Sequence, residues 1–175
     1  MKPASLSLLL AALLALPAAF AAGAHEHGVV HLDVAVEGRR ITLQMESPLE
    51  NLLGFERAPR SDAERRRADA AVAKLKAADK LFAIDGAARC TLTKIELTSA
   101  ALKLGPAAEP GAAGHADIDG NFEFDCADAA RAAFIDVRLF DAFDGMQRIE
   151  VQAITPKAQL KATLTRPQRR IALVR

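Results

Sequence analysis

The chain has 175 residues, of which 51% are hydrophobic and 26% charged, with a formal net charge of +1. That charged fraction is too high for a polytopic membrane protein, and the hydrophobic fraction is too high for a disordered chain. The near-neutral balance argues against a nucleic-acid binder, and with no Trp or Tyr beside eight Phe there is little with which to stack a sugar or base.

The N-terminus reads as an export leader. Lys2 is the only charge before Glu26. It precedes an apolar run from Leu6 to Leu16, then Pro17 and small residues to Ala24, which is the pattern of a secretory signal peptide. The run is shorter than the ~20 residues a spanning helix needs, so no membrane insertion is expected after cleavage. Cleavage after Ala21 or after Ala24 fits. Residues 1–24 are thus taken as signal peptide and residues 25–175 as a single periplasmic domain. Loss of Lys2 makes that domain formally neutral. Cys90 and Cys126, the only cysteines, read as a disulfide in an oxidising compartment, with a two-thiolate metal site as the alternative.

Val30, Leu32, Val34 and Val36 alternate with polar or small residues, which predicts a half-buried strand. Gly38-Arg39-Arg40 turns the chain into a second alternating run through Ile41, Leu43 and Met45, completing a hairpin. Ser47-Pro48 ends it. Leu49–Phe55 reads as a packed corner without evident chemistry, with Gly54 as its special backbone position. Ser61, with Glu64 three residues on, opens one long helix by a capping box. Its apolar face comprises Val72, Leu75, Ala78 and Phe82, and Gly86 lies beyond its end. Strand patterns return around Leu92–Leu97, Phe122–Cys126, Ile135–Leu139, Ile149–Ala153, Leu160–Leu164 and Ile171–Val174. A Gly/Pro/Ala-rich flexible loop at 105–114 breaks them. The sum is an α+β fold: mostly antiparallel sheet, one main helix packed on a sheet face, and one disulfide.

Histidine placement is the informative polar feature. His25, His27 and His31 cluster at the expected mature N-terminus, and the fourth, His115, precedes Asp117 and Asp119. In an extended chain residues two apart share a face about 6.5–7 Å apart, so His25 and His27 suit one ion. His31 lies about 13 Å beyond His27 and would need a bend, which Gly28 can supply. Such nitrogen and carboxylate sets suit Zn2+ and also Cu2+ or Ni2+. The plain alternative is a solvated tail. A calcium loop is excluded by Gly120 standing too early, and no zincin helix, phosphate loop or nucleophile elbow is present, so no enzyme is expected.

The segments His25-Glu26-His27-Gly28, Leu32–Gly38, Ser47-Pro48, Asn51-Leu52-Leu53-Gly54-Phe55-Glu56, Cys126-Ala127-Asp128, Val137–Phe140 with Phe143, and Ile149–Gln152 together resemble the ZrgA-like family of zinc-regulated periplasmic proteins. The resemblance spans nearly the whole mature chain in order, and the Asn51–Glu56 segment is its most specific part. It implies a bacterial periplasmic zinc-binding protein, non-catalytic and accessory to zinc acquisition or buffering. The implied partners are the metal ion and a periplasmic or inner-membrane zinc transporter component. Such proteins carry a loop dense in His and Asp. By position it falls on Gly105–Asp119, where this chain keeps only His115, Asp117 and Asp119. The competing expectation is an envelope structural or protein-interaction module without a metal role.

Overall fold

The computed structural model describes residues 26–106 and 116–174. The expected leader, His25, His115 and most of the expected loop lie outside the described residues.

The alternating residues of the first hairpin form β1 (Val29–Glu37) and β2 (Arg40–Pro48), paired antiparallel with Leu32 opposite Met45. A six-stranded sheet grows around this hairpin in the order β4-β5-β2-β1-β7-β8. It adds β4 (Cys90–Thr98), β5 (Asp117–Cys126), β7 (Arg148–Ile154) and β8 (Gln159–Thr165). All its pairings are antiparallel except β1 with β7, which run parallel with Leu32 opposite Val151. A three-stranded sheet is built from β3 (Phe82–Ile84), β6 (Phe134–Val137) and β9 (Arg170–Ala172). The α+β class expected from the sequence is the class observed.

One face of the large sheet is apolar because period-two alternation puts every second residue there. Val30, Leu32, Val34, Ile41, Leu43, Phe122, Ile149 and Val151 are all buried in one core. The main helix adds Ala68, Ala71 and Leu75 to that core, and Phe82 of the small sheet meets Phe122 with ring centroids 5.1 Å apart. The opposite face of the large sheet is largely polar, with His31, Asp33, Gln44, Glu46 and Gln152 exposed on it.

The main helix is shorter than expected. It runs as α2 (Asp62–Lys76), capped by the Ser61 hydroxyl accepting the Glu64 N–H. At Ala77 the backbone leaves the helical region (φ −95°, ψ 47°), and a single turn, α3 (Ala78–Leu81), follows. Phe82 is therefore a strand residue, not part of the helix face. Pairing Phe82 with Val137 satisfies its backbone while keeping the ring buried, so tertiary packing overrides the helical spacing. Two further single turns are α1 (Glu50–Leu53) and α4 (Leu139–Ala142). Cys90 and Cys126 are register partners on β4 and β5 and are joined as a disulfide, which ties the edge strand β4 to its neighbour.

Candidate metal site

The site is built where the N-terminal end of β1 meets the corner after β2. Glu26, His27, Gly28 and Val29 make a tight turn, closed by the Val29 N–H donating to the Glu26 carbonyl at 3.1 Å. Gly28 sits at φ +82°, which a side chain would strain. The turn separates its side chains. Glu26 reaches back to Arg148 at 2.8 Å, and His27 goes to the corner.

A buried amide fixes this junction. Asn51 is 3% exposed. Its Oδ1 accepts the Gly28 N–H at 2.7 Å, and its Nδ2 donates to the Val29 carbonyl at 2.7 Å and to Ser47 Oγ at 3.2 Å. On the other side the Gly28 carbonyl accepts the N–H groups of Gln147 and Arg148. Gly28, and with it His27, is thus held from both flanks.

Asn51 belongs to α1, so the residue before it, Glu50, is brought to the residue before Gly28. Glu50 Oε2 lies 3.0 Å from His27 Nδ1. The turn of α1 closes on Gly54, which is left-handed at φ +78° and donates its N–H to the Glu50 carbonyl. That residue doubles the chain back, and Glu56 Oε1 arrives 3.0 Å from His27 Nε2. Leu49 and Leu53 anchor the same corner in the core. Arg57, beside Glu56, is engaged by Glu64, whose two carboxylate oxygens each take a guanidinium N–H at 2.8 Å. That pairing, with the Arg60 N–H, holds the Glu64 carboxyl down at about 2 and raises the Arg57 guanidinium. The Arg57 charge is therefore spent on Glu64 rather than on Glu56.

An imidazole can donate through both nitrogens only when protonated, and a divalent cation can take the place of that proton. One ligand atom each from His27, Glu50 and Glu56 lie within 4.8 Å of one another, against about 3.3 Å between ligands of a tetrahedral zinc. Modest side-chain rotation closes that gap, since all three side chains are solvent-accessible, Glu56 least so at 33%. One nitrogen and two carboxylates leave room for water or a further ligand, which is the chemistry of an exchangeable site rather than a closed structural one.

Of the expected residues that are described, His27 alone is in this cluster, and His25 and His115 lie outside the described residues. His31 lies on β1 with its Nδ1 3.6 Å from Glu150 Oε2, so the bend at Gly28 does not bring it to His27. Asp117 and Asp119 lie on β5, opposite Pro48 and Glu46. Glu50 and Glu56 were passed over by sequence reasoning, which took their corner as packing only. The packing is present, and the two carboxylates stand on it. The signal that could have found them was the specificity of the Asn51–Glu56 segment.

Residues 24–173 match the family described as ZrgA family zinc uptake protein. The chain belongs to that family. A zinc-related role follows from the membership, in agreement with the resemblance read from the N-terminal and Asn51–Glu56 segments. No curated protein matches the chain. Among the described residues no helix is long and apolar enough to cross a membrane.

Proposed function

We propose that this ZrgA family member is an exported, non-catalytic zinc-binding protein of the periplasm. It buffers zinc or passes it to an envelope zinc transporter, and His27, Glu50 and Glu56 are its protein ligands. The observation that carries this reading is the convergence of two carboxylates on one imidazole at the mature N-terminus, in a chain of a zinc uptake family. The leader-like N-terminus and the Cys90–Cys126 disulfide support the compartment.

Isothermal titration of the exported chain with Zn2+ tests the site. The parent is expected to show a binding event that His27→Ala abolishes and that Glu50→Gln with Glu56→Gln weakens by about tenfold or more. Because the ion binds neutral imidazole, uptake should release protons, so the heat should differ between buffers of different ionisation enthalpy. Isotherms of parent and His27→Ala that superimpose would sink the proposal and favour a structural module.

A further inference from the structure

The two edges of the large sheet are finished differently. β4 carries a register shift between Leu92 and Lys94, and such a bulge spoils an edge for further pairing. β8 has no shift and no Pro. It pairs with β7 in unbroken register from Gln159 to Thr165 and with no other strand among the described residues.

The pairing with β7 decides which backbone groups of β8 face outward. In an antiparallel ladder, alternate residues exchange both bonds with the residue opposite. Thr155 and Ala158 exchange both, at 2.9 and 3.4 Å, so Leu160, Ala162 and Leu164 are the residues bonded to β7. The Arg148 N–H agrees, since it donates to the Gly28 carbonyl on the β1 side and not to β8. Gln159, Lys161 and Thr163 therefore present N–H and C=O to the open edge. Thr165 does so less freely, because its carbonyl already accepts the Gln168 N–H at 2.7 Å.

We propose that β8 pairs antiparallel with β8 of a second copy about a two-fold axis at Ala162, which joins two sheets into one. Bonds form only where outward residues oppose outward residues. An axis at Lys161 would set that lysine against itself, and like charges directly opposed are destabilising. An axis at Thr163 would set Leu160 against Arg166. The axis at Ala162 sets Lys161 against Thr163, Leu160 against Leu164, and Ala162 against Ala162 of the second copy. Leu160 and Ala162 are only half-buried in one copy, and this register covers them on the core side. On the open face it places Lys161 in the row of Thr163 and Glu150 of the second copy. Lys161 has no ion-pair partner among the described residues. Two strand spacings, about 9.5 Å, separate it from that Glu150, and extended Lys and Glu side chains together span them across the short threonine. Two-fold symmetry makes each contact twice. A strand pair of this length lies at the small end of specific interfaces, so dissociation at about 10–100 µM is expected.

Sedimentation of the exported chain between about 1 and 500 µM tests the pairing, with the Cys90–Cys126 disulfide intact. The parent should pass from monomer to dimer. Thr163→Pro removes an outward N–H without taking a bond from β7, and should leave a monomer. Thr163→Lys keeps the strand and sets a lysine against Lys161 of the second copy, so it should weaken the dimer about tenfold, and adding Lys161→Glu should restore it. Ala162→Cys should link two copies under oxidation, because Ala162 opposes itself at a non-hydrogen-bonded pair, the closer kind. A parent that stays monomeric overturns the proposal and leaves the edge to a strand from a different protein. A dimer that the Thr163 changes do not weaken and Ala162→Cys does not link pairs through another face, which also overturns it. None of these residues is a proposed zinc ligand, so either result leaves the zinc reading as it stands.

Discussion

Replacing Asn51 with Ala should damage both the fold and the zinc site, and the size of the effect can be worked from three hydrogen bonds. The substitution removes the acceptor for the Gly28 N–H and the donor for the Val29 carbonyl, each bonded at 2.7 Å, and a weaker contact to Ser47. Asn51 is nearly inaccessible, so water does not replace these partners freely. Each orphaned backbone group costs about 1–3 kcal/mol, and two of them give a loss of about 3 kcal/mol. For a domain of this size that lowers the thermal midpoint by about 6–12 °C. The second effect is on affinity. With Gly28 released, His27 samples many orientations, and zinc binding should weaken by about tenfold as the ligands must be ordered at binding. Thermal unfolding by circular dichroism, with and without Zn2+, reads the first quantity, and calorimetric titration reads the second. An Asn51→Ala protein that melts within 1 °C of the parent and binds zinc equally well would refute the argument that this amide positions the site.

Gly145→Ala should reproduce part of that phenotype, because a Cβ there would stand 2.6 Å from the Asn51 carbonyl oxygen. A backbone shift costing about 1–3 kcal/mol is expected in urea unfolding. Reduction of the Cys90–Cys126 disulfide, which closes a loop with a sequence separation of 36, should lower stability by about 4 kcal/mol and release hydrogen-exchange protection in β4 first. Saturating zinc should raise stability by about 2.7 kcal/mol at a free concentration a hundred times the Kd, seen as a rise in thermal midpoint absent from His27→Ala. The Glu64 carboxyl is held down at about 2 by Arg57 and the Arg60 N–H, from an ordinary value of 4.5. A depressed carboxyl stabilises the fold above its unfolded value and loses that contribution as pH falls toward its folded one. The urea midpoints of parent and Glu64→Gln should therefore differ by a constant amount above about pH 5 and converge toward about pH 2.

The strands were legible because burial on one face imposes period two, and the alternating runs from Val30 to Leu164 became strands of the large sheet, except that Ile135–Val137 became part of β6 in the small sheet and Leu139 passed into α4. The Ser61 cap and the Gly54 turn were legible because both are local. What was not legible depends on contacts between distant segments. Nothing in the spacing of the helix pattern announces that the chain breaks at Ala77, since Phe82 satisfies a helical face and a strand equally well. The break is decided by pairing with β6. Similarly, Glu50 and Glu56 look like solvated acids until Asn51 docks α1 onto the start of β1. His25, His27 and His31 share a parity in sequence, but the turn at Gly28 gives His27 and His31 different neighbours.

The placement of Gly28 between Asn51 on one side and the start of β7 on the other bears on how a cation would leave. Both flanks are hydrogen-bonded into the sheet, so no hinge separates His27 from Glu50 and Glu56. Release would then proceed by rotation of three solvent-accessible side chains, on the fast scale of rotamer exchange, instead of by a slower opening of the backbone. A recipient need not prise the protein apart. It needs only to offer a competing donor at the rim, and the ion would be traded ligand for ligand.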